Sequence, residues 1–322
     1  MPLFAAVMAL AAHRCLPFSL QRYSSAFAFG LLEAGFKTGD KMVLYVDQTQ
    51  TAESLVAQLG AVKAGVSIVM FDEKESEEAL DHALRTSQAK ALLISPQTEV
   101  GEGATRLSFL QSLMPELKTM YAGEEMQLAK YPHLKHVVQT GHTAMRGINK
   151  FRDVAVYANP ALSSRQIPTN SADAVTHVAY KDGREACTLT SGDLVQKAQS
   201  IWDSALASSK PTVEDKEPIF MACDPESPLG FTTFLAAATN MKKVFIPGTF
   251  NMTTMLQSVP RQASSLVVCD ADLYSLAVPP AKKAEYQEMC SVVKSVLVAG
   301  PASSSSDLFP TAKTTALDKY SF

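Results

Sequence analysis

The chain has 322 residues, of which 47% are hydrophobic and 19% are charged, with a formal net charge of -3. This composition excludes a wholly disordered chain, and the length predicts about two domains or one large α/β unit. Lys and Arg number 29 against 32 Asp and Glu, so no basic excess or direct motif points to nucleic acid. The charged fraction is below that of an ordinary soluble domain, which favours a surface covered by a permanent partner.

The cysteine content favours a reducing compartment. The five cysteines are scattered along the chain without a CxxC pair, so packed thiols are expected rather than a disulfide framework. They are Cys15, Cys187, Cys223, Cys269 and Cys290. The longest early apolar run, Leu3 to Ala12, is about half of the roughly 20 residues that a membrane-spanning helix needs. No transmembrane segment is therefore predicted.

The N-terminal segment has an unusual charge pattern. From Met1 to Leu32 there is no Asp or Glu, while Arg14 and Arg22 are basic and Ser and Ala are frequent. This composition is typical of a mitochondrial transit peptide and predicts a mitochondrial location, with the cytoplasm as the alternative. Apolar residues at helical spacing offer a second explanation, a structural helix that lacks acids. They are Phe18, Tyr23, Phe27, Leu31 and Leu32.

The segment from Phe18 to Ser95 alternates between helical and strand patterns. Gly35 and Gly65 stand where two helical patterns stop, the usual place for glycine after a helix. The predicted helices are Gln21–Ala34, Ala52–Ala64 and Glu75–Thr86, and the predicted strands are Met42–Val46, Val66–Phe71 and Ala91–Ser95. Continuously apolar strands that alternate with helices predict a parallel sheet with helices on both faces.

The middle of the chain is less regular. It contains two predicted helices, Ser108–Leu113 and Glu124–Leu128, and then a predicted strand, Leu134–Val138. Residues 157–173 are rich in Asn, Pro, Ser and Ala without periodicity, which indicates a linker. The sequence thus predicts a first α/β lobe over residues 1–156 and a second over residues 174–322.

The alternation resumes in the second lobe. Its first predicted helix has Ser191 or Asp193 as the cap and runs to about Leu206, and the others are Leu229–Ala238 and Thr253–Val259. Its predicted strands are Pro218–Ala222, Lys243–Ile246, Leu266–Cys269 and Ser295–Ala299. The predicted fold class is therefore α/β, with two lobes of mostly parallel sheet flanked by helices.

Six segments along the chain form a recognisable combination. They are Arg22-Tyr23-Ser24-Ser25 with Gly30-Leu31, Ala34 to Lys41, Ala61-Val62-Lys63-Ala64-Gly65, Leu134 to Val138, Gly248 to Leu256, and Ala299-Gly300-Pro301 followed by Leu308. Together they resemble the AMP-forming acyl-CoA synthetases of the adenylate-forming superfamily. The resemblance runs through nearly the whole chain but only to the front part of a family member. It implies the fold of a truncated N-terminal domain.

The resemblance also implies where the family's phosphate-binding loop would stand. Members of this family bind ATP, adenylate a carboxylic acid and pass the acyl group to a thiol. Their loop is rich in Gly, Ser and Thr because backbone N–H groups must approach the triphosphate closely. The corresponding place here holds Lys181-Asp182-Gly183-Arg184-Glu185. Asp-Gly between two apolar runs predicts a hairpin turn, and the acidic side chains of Asp182 and Glu185 would repel phosphate.

Other parts that the family uses for chemistry are not expected. The resemblance places a Tyr-Gly-x-Thr-Glu segment after Ala299-Gly300-Pro301, where the chain instead runs through Thr311 to Asp318. The ribose-binding Asp, the hinge and the C-terminal domain with its catalytic Lys would follow Phe322. Thr38-Gly39-Asp40 precedes a strand and is not the ribose motif. The sequence therefore predicts no catalytic, cofactor-binding or metal-binding residues and no enzyme activity.

The sequence gives little support for a zinc site or for a catalytic cysteine. His133, His136 and His142 are close in sequence, but Pro132 and a predicted strand oppose a helical zinc site. Cys223 and Cys269 each end a predicted strand, where buried thiols are expected rather than nucleophiles.

Four short segments are interpreted as loops or solvated surface. Gly101-Glu102-Gly103 lacks the context of a dinucleotide-binding motif, and Ser303 to Ser306 is typical of a solvated loop. The basic pairs Lys242-Lys243 and Lys282-Lys283 are too few to indicate RNA.

These observations favour a non-catalytic acyl-CoA synthetase homologue that acts as a structural or accessory subunit of a large protein assembly. A mitochondrial assembly is expected, either a respiratory complex or the mitochondrial ribosome, and the partners are other protein subunits. Two alternatives stay open. One is an acyl- or CoA-binding module without ligase activity, with peripheral lipid or acyl-CoA contact. The other is a residual AMP-forming ligase.

Overall fold

The computed structural model describes most of the chain, in two compact units. The described residues are 18–47, 51–71, 77–96, 99–100, 104–141, 145–156, 167–168, 170–181, 184–206, 218–240, 242–247, 252–262, 264–275, 278–299, 308–309 and 312–317. Within them, the first unit ends at Gly192 and the second begins at Asp193. No helix in these ranges is long and apolar enough to cross a membrane.

The first unit is built on a seven-stranded sheet with the strand order β7-β6-β3-β1-β2-β8-β9. The strands are β1 (Lys41–Tyr45), β2 (Ser67–Phe71), β3 (Ala91–Ile94), β6 (His136–Gln139), β7 (Asn149–Lys150), β8 (Val175–Lys181) and β9 (Arg184–Thr190). Two further strands, β4 (Glu99–Val100) and β5 (Ala104–Thr105), form a separate antiparallel pair. Within the large sheet every neighbouring pair is parallel except β8 and β9. The predicted mostly parallel α/β class is confirmed.

Helices cover both faces of this sheet. They are α1 (Phe18–Glu33), α2 (Thr51–Ala64), α3 (Glu77–Ser87), α4 (Arg106–Leu113) and α5 (Phe151–Val156). Strand β1 explains why two layers form, because Val43 and Tyr45 belong to one buried cluster and Met42 and Leu44 to another. Successive side chains point to opposite faces of a strand, so a continuously apolar strand needs cover on both sides.

Glycines set the ends and the spacing of the first two helices. Gly35 and Gly65 have φ values of 80° and 76°, the left-handed conformation that ends a helix, as predicted. Gly60 in α2 lies against α1, where an added Cβ would stand 2.8 Å from the Ser24 carbonyl oxygen. Helices α1 and α2 therefore pack with their backbones unusually close.

The second unit contains a five-stranded sheet with the order β11-β10-β12-β13-β14, and all its strand pairs are parallel. The strands are β10 (Ile219–Ala222), β11 (Val244–Phe245), β12 (Leu266–Asp270), β13 (Ser295–Ala299) and β14 (Lys313–Leu317). The helices are α6 (Ser191–Leu206), α7 (Pro228–Thr239), α8 (Met252–Gln262), α9 (Ala271–Tyr274) and α10 (Lys283–Met289). This unit has its own core, which includes Phe220, Val267 and Val296.

The boundary between the units differs from the one that the sequence indicates. The proposed linker, residues 157–173, falls largely outside the described residues, and the unit boundary lies about 20 residues beyond it. Strand β8 pairs with β2, so the segment from Val175 to Thr190 completes the first sheet. A stretch rich in Pro and Ser predicts a loop. Only the strand pairing decides to which unit the residues after that stretch belong.

Two elements differ from the sequence-based expectation. Residues Glu124 to Leu128 form no helix, so that prediction was wrong. Met126 and Leu128 are nevertheless buried, and the Met126 amide donates to the Lys135 carbonyl. Strand β14 was not predicted, because Lys313–Leu317 lacks an apolar run and becomes a strand by pairing with β13.

Candidate functional site

The parallel strands of the first unit end at a common edge, called here the carboxyl edge. The last parallel-paired residues of β1, β3, β6 and β8 are Tyr45, Ile94, Gln139 and Tyr180. Ligands of open α/β sheets bind outside the carboxyl ends of the strands. The carboxyl edge is therefore the place to look for a site in this unit.

Hydroxyl groups tie three strand ends together at the carboxyl edge. Ser95 Oγ and Thr140 Oγ1 lie 3.2 Å apart, and both side chains are buried. The Asp47 amide donates to Ser95 Oγ at 3.1 Å, and Thr140 Oγ1 donates to the Ile94 carbonyl at 3.3 Å. These hydroxyls satisfy the backbone where β1, β3 and β6 end, so their hydrogen bonds serve the fold.

Arg106 is a buried cation at the same edge. Its side chain is 4% exposed, and Nη1 donates to the Tyr45 carbonyl at 3.1 Å. The guanidinium carbon lies 4.3 Å from the centroid of the Tyr45 ring, a cation–π arrangement. Within the described ranges no carboxylate contacts this guanidinium, and its Nε has no hydrogen-bond partner.

Sequence reasoning missed Arg106. The residue stands at the first position of α4, after the capping residue Thr105, and a single Arg at that point carries no motif. Its burial depends on the Tyr45 ring reaching it from a strand 61 residues earlier. The helix dipole favours an acidic residue in the first turn of a helix. An Arg at this position is therefore unusual, and this was the one signal in the sequence that could have drawn attention to Arg106.

The segment that the resemblance assigns to the phosphate loop forms an antiparallel hairpin. Strands β8 and β9 pair from Val175 with Thr190 to Lys181 with Arg184, which confirms the predicted hairpin. Only Asp182 and Gly183 connect the two strands, and both lie outside the described residues. A two-residue connection presents few backbone N–H groups, whereas a phosphate cradle needs several.

The described charges beside this connection include a carboxylate near a buried phenol. Arg184 and Glu185 are exposed, and Thr188 donates its hydroxyl hydrogen bond to Glu185. Burial, and secondly the negative charge of Glu185, raise the pKa of Tyr180. The phenol at the end of β8 therefore stays protonated, and Glu185 adds negative potential where a phosphate would have to approach.

The body of the hairpin is packed like a core element. Thr176 donates its hydroxyl to the Leu189 carbonyl at 3.0 Å, which joins the two strands. His177 is 1% exposed, and its burial lowers the pKa to about 3. The imidazole is therefore neutral at physiological pH, and β8 brings no positive charge to the carboxyl edge through His177.

The histidines considered for zinc lie in different surroundings. His133 is exposed in a turn, whereas His136 begins β6 and its ring lies 5.5 Å from the Phe36 ring. Burial is the main cause that lowers the pKa of His136. His142 lies outside the described residues. Among the residues that the structure covers, no group of three His, Cys, Asp or Glu side chains could hold a metal ion.

The cysteines at strand ends are buried, as the sequence predicted. Cys223 follows β10 and Cys269 lies near the end of β12, and both are fully buried. Burial, together with the charge of Asp270, raises the pKa of the Cys269 thiol. Burial raises the pKa of Cys290 to about 11. High thiol pKa values oppose formation of the nucleophilic thiolate.

The remaining short segments are described only in part. Gly101 to Gly103 and Ser303 to Ser306 lie outside the described residues. Lys282 and Lys283 are exposed, with the Lys282 ammonium 5.9 Å from the centroid of the Tyr286 ring. That no residue here is catalytic, cofactor-binding or metal-binding stays a prediction.

Comparison with known proteins identifies the fold. A family model described as AMP-binding enzyme matches residues 19–180. Putative acyl-CoA synthetase YngI of Bacillus subtilis (strain 168) is 22% identical over 248 residues, which is 74% of this chain and 43% of that protein.

Solved structures share the architecture of nearly the whole chain. A mutant form of coronafacic acid ligase from Pectobacterium brasiliense matches with a TM-score of 0.72 and 11% identity, over 98% of this chain and 60% of that one. The acyl-CoA synthetase of Brucella canis matches with a TM-score of 0.61 and 14% identity, over 88% of this chain and 46% of that one. The chain thus spans about half the length of these relatives. Because the family model matches half of the chain, this protein belongs to the AMP-binding enzyme family.

Proposed function

We propose that this chain is a non-catalytic member of the AMP-binding family that serves as an accessory subunit of a larger protein assembly. The single observation that carries the proposal is the β8–β9 hairpin, which stands where the resemblance would place the family's phosphate loop. The acid-free segment from Met1 to Leu32 favours a mitochondrial setting, such as a respiratory complex or the mitochondrial ribosome.

The extent of the family match supports this reading of the hairpin. The match ends at Tyr180, the residue before Lys181, and Lys181 already pairs with Arg184 across the connection. The match therefore ends beside the connection, where the resemblance would place the triphosphate. Asp182 stands in the connection and Glu185 follows it, and their charges oppose a phosphate ligand.

The other polar groups at the carboxyl edge support the same proposal. Ser95 and Thr140 form hydrogen bonds with each other and with backbone atoms, so they contribute to joining the strands. Chemistry at the α-phosphate of ATP requires positioned positive charge and a metal ion. Beside the connection, the described side chains of the hairpin include both the exposed cation Arg184 and the exposed carboxylate Glu185.

Adenylation is tested by ATP–pyrophosphate exchange. Purified protein is assayed with Mg²⁺ and panels of short-, medium- and long-chain fatty acids and aromatic acids, beside an active family enzyme. We expect exchange at the level of the no-protein blank. Exchange above that level that requires a carboxylic acid would establish a residual ligase and contradict the proposal.

The accessory role is tested separately by native sizing of the tagged protein from gently lysed cells of its source. Mass spectrometry identifies the proteins that migrate with it. We expect migration with a large particle, with the same partners recovered at every purification step. A monomeric peak with no constant partner would overturn the accessory role even if exchange is absent.

A second candidate is an acyl- or CoA-binding module without ligase activity, and Arg106 is the observation that favours it. A buried guanidinium without a described carboxylate partner can receive a phosphate or carboxylate group. Titration with a fluorescent acyl-CoA decides: saturation that Arg106→Met weakens about tenfold supports the module. Absence of saturation up to high micromolar concentration rejects it.

A further inference from the structure

The first unit has a pocket at the edge opposite the carboxyl edge. Its volume is about 230 Å³, and it lies at the amino ends of three strands, where Ala91, His136 and Asn149 are the first residues of β3, β6 and β7. The hairpin and Arg106 lie at the other ends of the strands. This pocket, called here the amino-edge pocket, is therefore separate from the candidate site described above.

The amino-edge pocket has an apolar floor. Leu31, Phe36, Ala91 and Val138 line it, and each of these side chains is at most 4% exposed. His136 lines it as well, with its ring tilted against the Phe36 ring and with burial holding its pKa below the usual value. A neutral imidazole adds no charge to the floor, so an apolar group is the complementary occupant.

The rim of the amino-edge pocket is acidic. Glu33 and Asp153 line the pocket and are exposed, and no Lys or Arg is among its lining residues. Within the described part of the chain, neither carboxylate forms an ion pair or hydrogen bond. Glu33 is the last residue of α1, where the helix dipole disfavours a negative charge. A cation brought to this rim would stabilise both carboxylates.

The volume restricts what can enter. Sites for drug-sized ligands and cofactors measure roughly 300–1,000 Å³. At about 230 Å³, the amino-edge pocket is too small for an acyl-adenylate or a CoA molecule. It is large enough for one amino-acid side chain, and side chains that fill such pockets carry much of the energy of protein–protein interfaces.

We propose that the amino-edge pocket receives one apolar side chain of a partner protein, while a neighbouring Lys or Arg of that partner pairs with Glu33 and Asp153. The inference rests on the proposed accessory role, because it names the surface that binds the partner and the chemistry of the contact. The burial of the floor, the unpaired acids of the rim and the volume all point to this occupant.

Photocrosslinking from the rim tests the location and the chemistry together. A benzophenone amino acid replaces Ala34, an exposed lining residue, in the tagged full chain in cells of its source. The matched control places it at Ala281, an exposed alanine of the second unit. We expect Ala34 to crosslink one partner, through a peptide with an apolar residue within four positions of a Lys or Arg. Equal crosslinking from Ala281, a peptide without a basic residue, or crosslinking to a second copy of this chain would overturn the inference.

Charge neutralisation tests the rim. Glu33→Gln with Asp153→Asn is expected to lower recovery of the crosslinked partner about tenfold, without changing the melting temperature, because both acids are exposed. The control pair Glu285→Gln with Glu288→Gln, on exposed positions of α10, is expected to leave recovery unchanged. If the protein still migrates with its assembly while the rim variant keeps full recovery, the pocket inference fails and the accessory role stands. If the protein is monomeric, the accessory role itself fails.

Discussion

Two buried cations of the first unit, Lys63 and Arg106, have their positive charges stabilised in different ways. The Arg106 guanidinium lies over the Tyr45 ring and donates to the Tyr45 carbonyl. Its delocalised charge is therefore stabilised by the face of an aromatic ring. Lys63 is 7% exposed, and its ammonium donates to Ser24 Oγ at 2.7 Å and Ser25 Oγ at 3.0 Å. Hydroxyl oxygens satisfy its hydrogen bonds without neutralising the charge.

The lack of a compensating charge makes Lys63 sensitive to pH. Burial lowers its pKa from 10.5 to about 8. Because the folded-state pKa lies below the unfolded value, the unfolded chain binds more protons between pH 8 and 10.5. The contribution of Lys63 to the free energy of unfolding therefore rises with pH across that window, by about 3 kcal/mol.

Lys63→Met tests this directly. We expect the variant to be more stable than the parent at pH 7 and the difference to shrink towards pH 10, measured by urea unfolding at several pH values. Lys118→Met, at an exposed position, serves as the control and should follow the parent at every pH. A constant difference between Lys63→Met and the parent from pH 7 to 10 would show that the Lys63 ammonium is not held in the fold as described.

A second residue-scale prediction concerns Asp81. Its carboxylate accepts hydrogen bonds from Tyr131 Oη and from Lys130 Nζ, the latter at 3.1 Å, and pairs with Arg85 at 2.8 Å. Desolvation alone would raise its pKa, but the Tyr131 hydrogen bond and the two cations lower it overall. A depressed folded-state pKa stabilises the protein above the unfolded value and loses that effect as pH falls.

Tyr131→Phe should therefore lower the free energy of unfolding by about 1.5–3 kcal/mol at pH 7. The loss should shrink as Asp81 becomes protonated in acid, because a neutral carboxyl accepts the phenol hydrogen bond less strongly. Unfolding of the variant and the parent at pH 7 and at successively lower pH values measures the change. An equal loss at every pH would show that the effect does not depend on the charge of Asp81.

At the scale of elements, close packing of α1 on α2 depends on one glycine. An added Cβ at Gly60 would stand 2.8 Å from the Ser24 carbonyl oxygen and 2.9 Å from Phe27 Cδ1. Alanine gains about 1 kcal/mol in helix propensity over glycine, whereas overpacking against a backbone atom costs about 1–3 kcal/mol. The clash involves backbone, which cannot rotate away, so the net effect should be unfavourable.

Gly60→Ala is thus predicted to lower the melting temperature by several degrees. The control is Gly192→Ala in the first turn of α6, where the nearest atom would lie 3.3 Å from the added Cβ. That substitution should shift the melting temperature less than Gly60→Ala. A stabilised Gly60→Ala variant would mean that the two helices have room to separate.

The sequence predicts elements well where local residues determine them and poorly where pairing does. Gly35 and Gly65 end their helices as expected, because a positive φ is a local requirement. The hairpin was predictable from Asp182-Gly183, but nothing local shows that β8 pairs with β2. Strand β14 and the burial of Arg106 were not predicted for the same reason, since each depends on contact with a residue distant in sequence.

At the scale of the whole molecule, the strand order explains where the chain divides. Every strand of the seven-stranded sheet lies between Lys41 and Thr190, and every strand of the five-stranded sheet lies between Ile219 and Leu317. Each unit therefore closes its sheet within its own segment and has its own buried cluster. Such a segment meets the main condition for independent folding, a complete core.

A fragment of residues 17–192 is consequently expected to unfold in one cooperative transition, measured by circular dichroism during heating. A fragment of residues 17–156, which ends at the boundary that composition alone indicates, lacks β8 and β9. It would expose the edge of β2 and would lack Val178 and Ala179 of β8, which belong to the two buried clusters, so we expect aggregation or a broad transition. Equal cooperativity of the two fragments would mean that the hairpin adds little to the first unit.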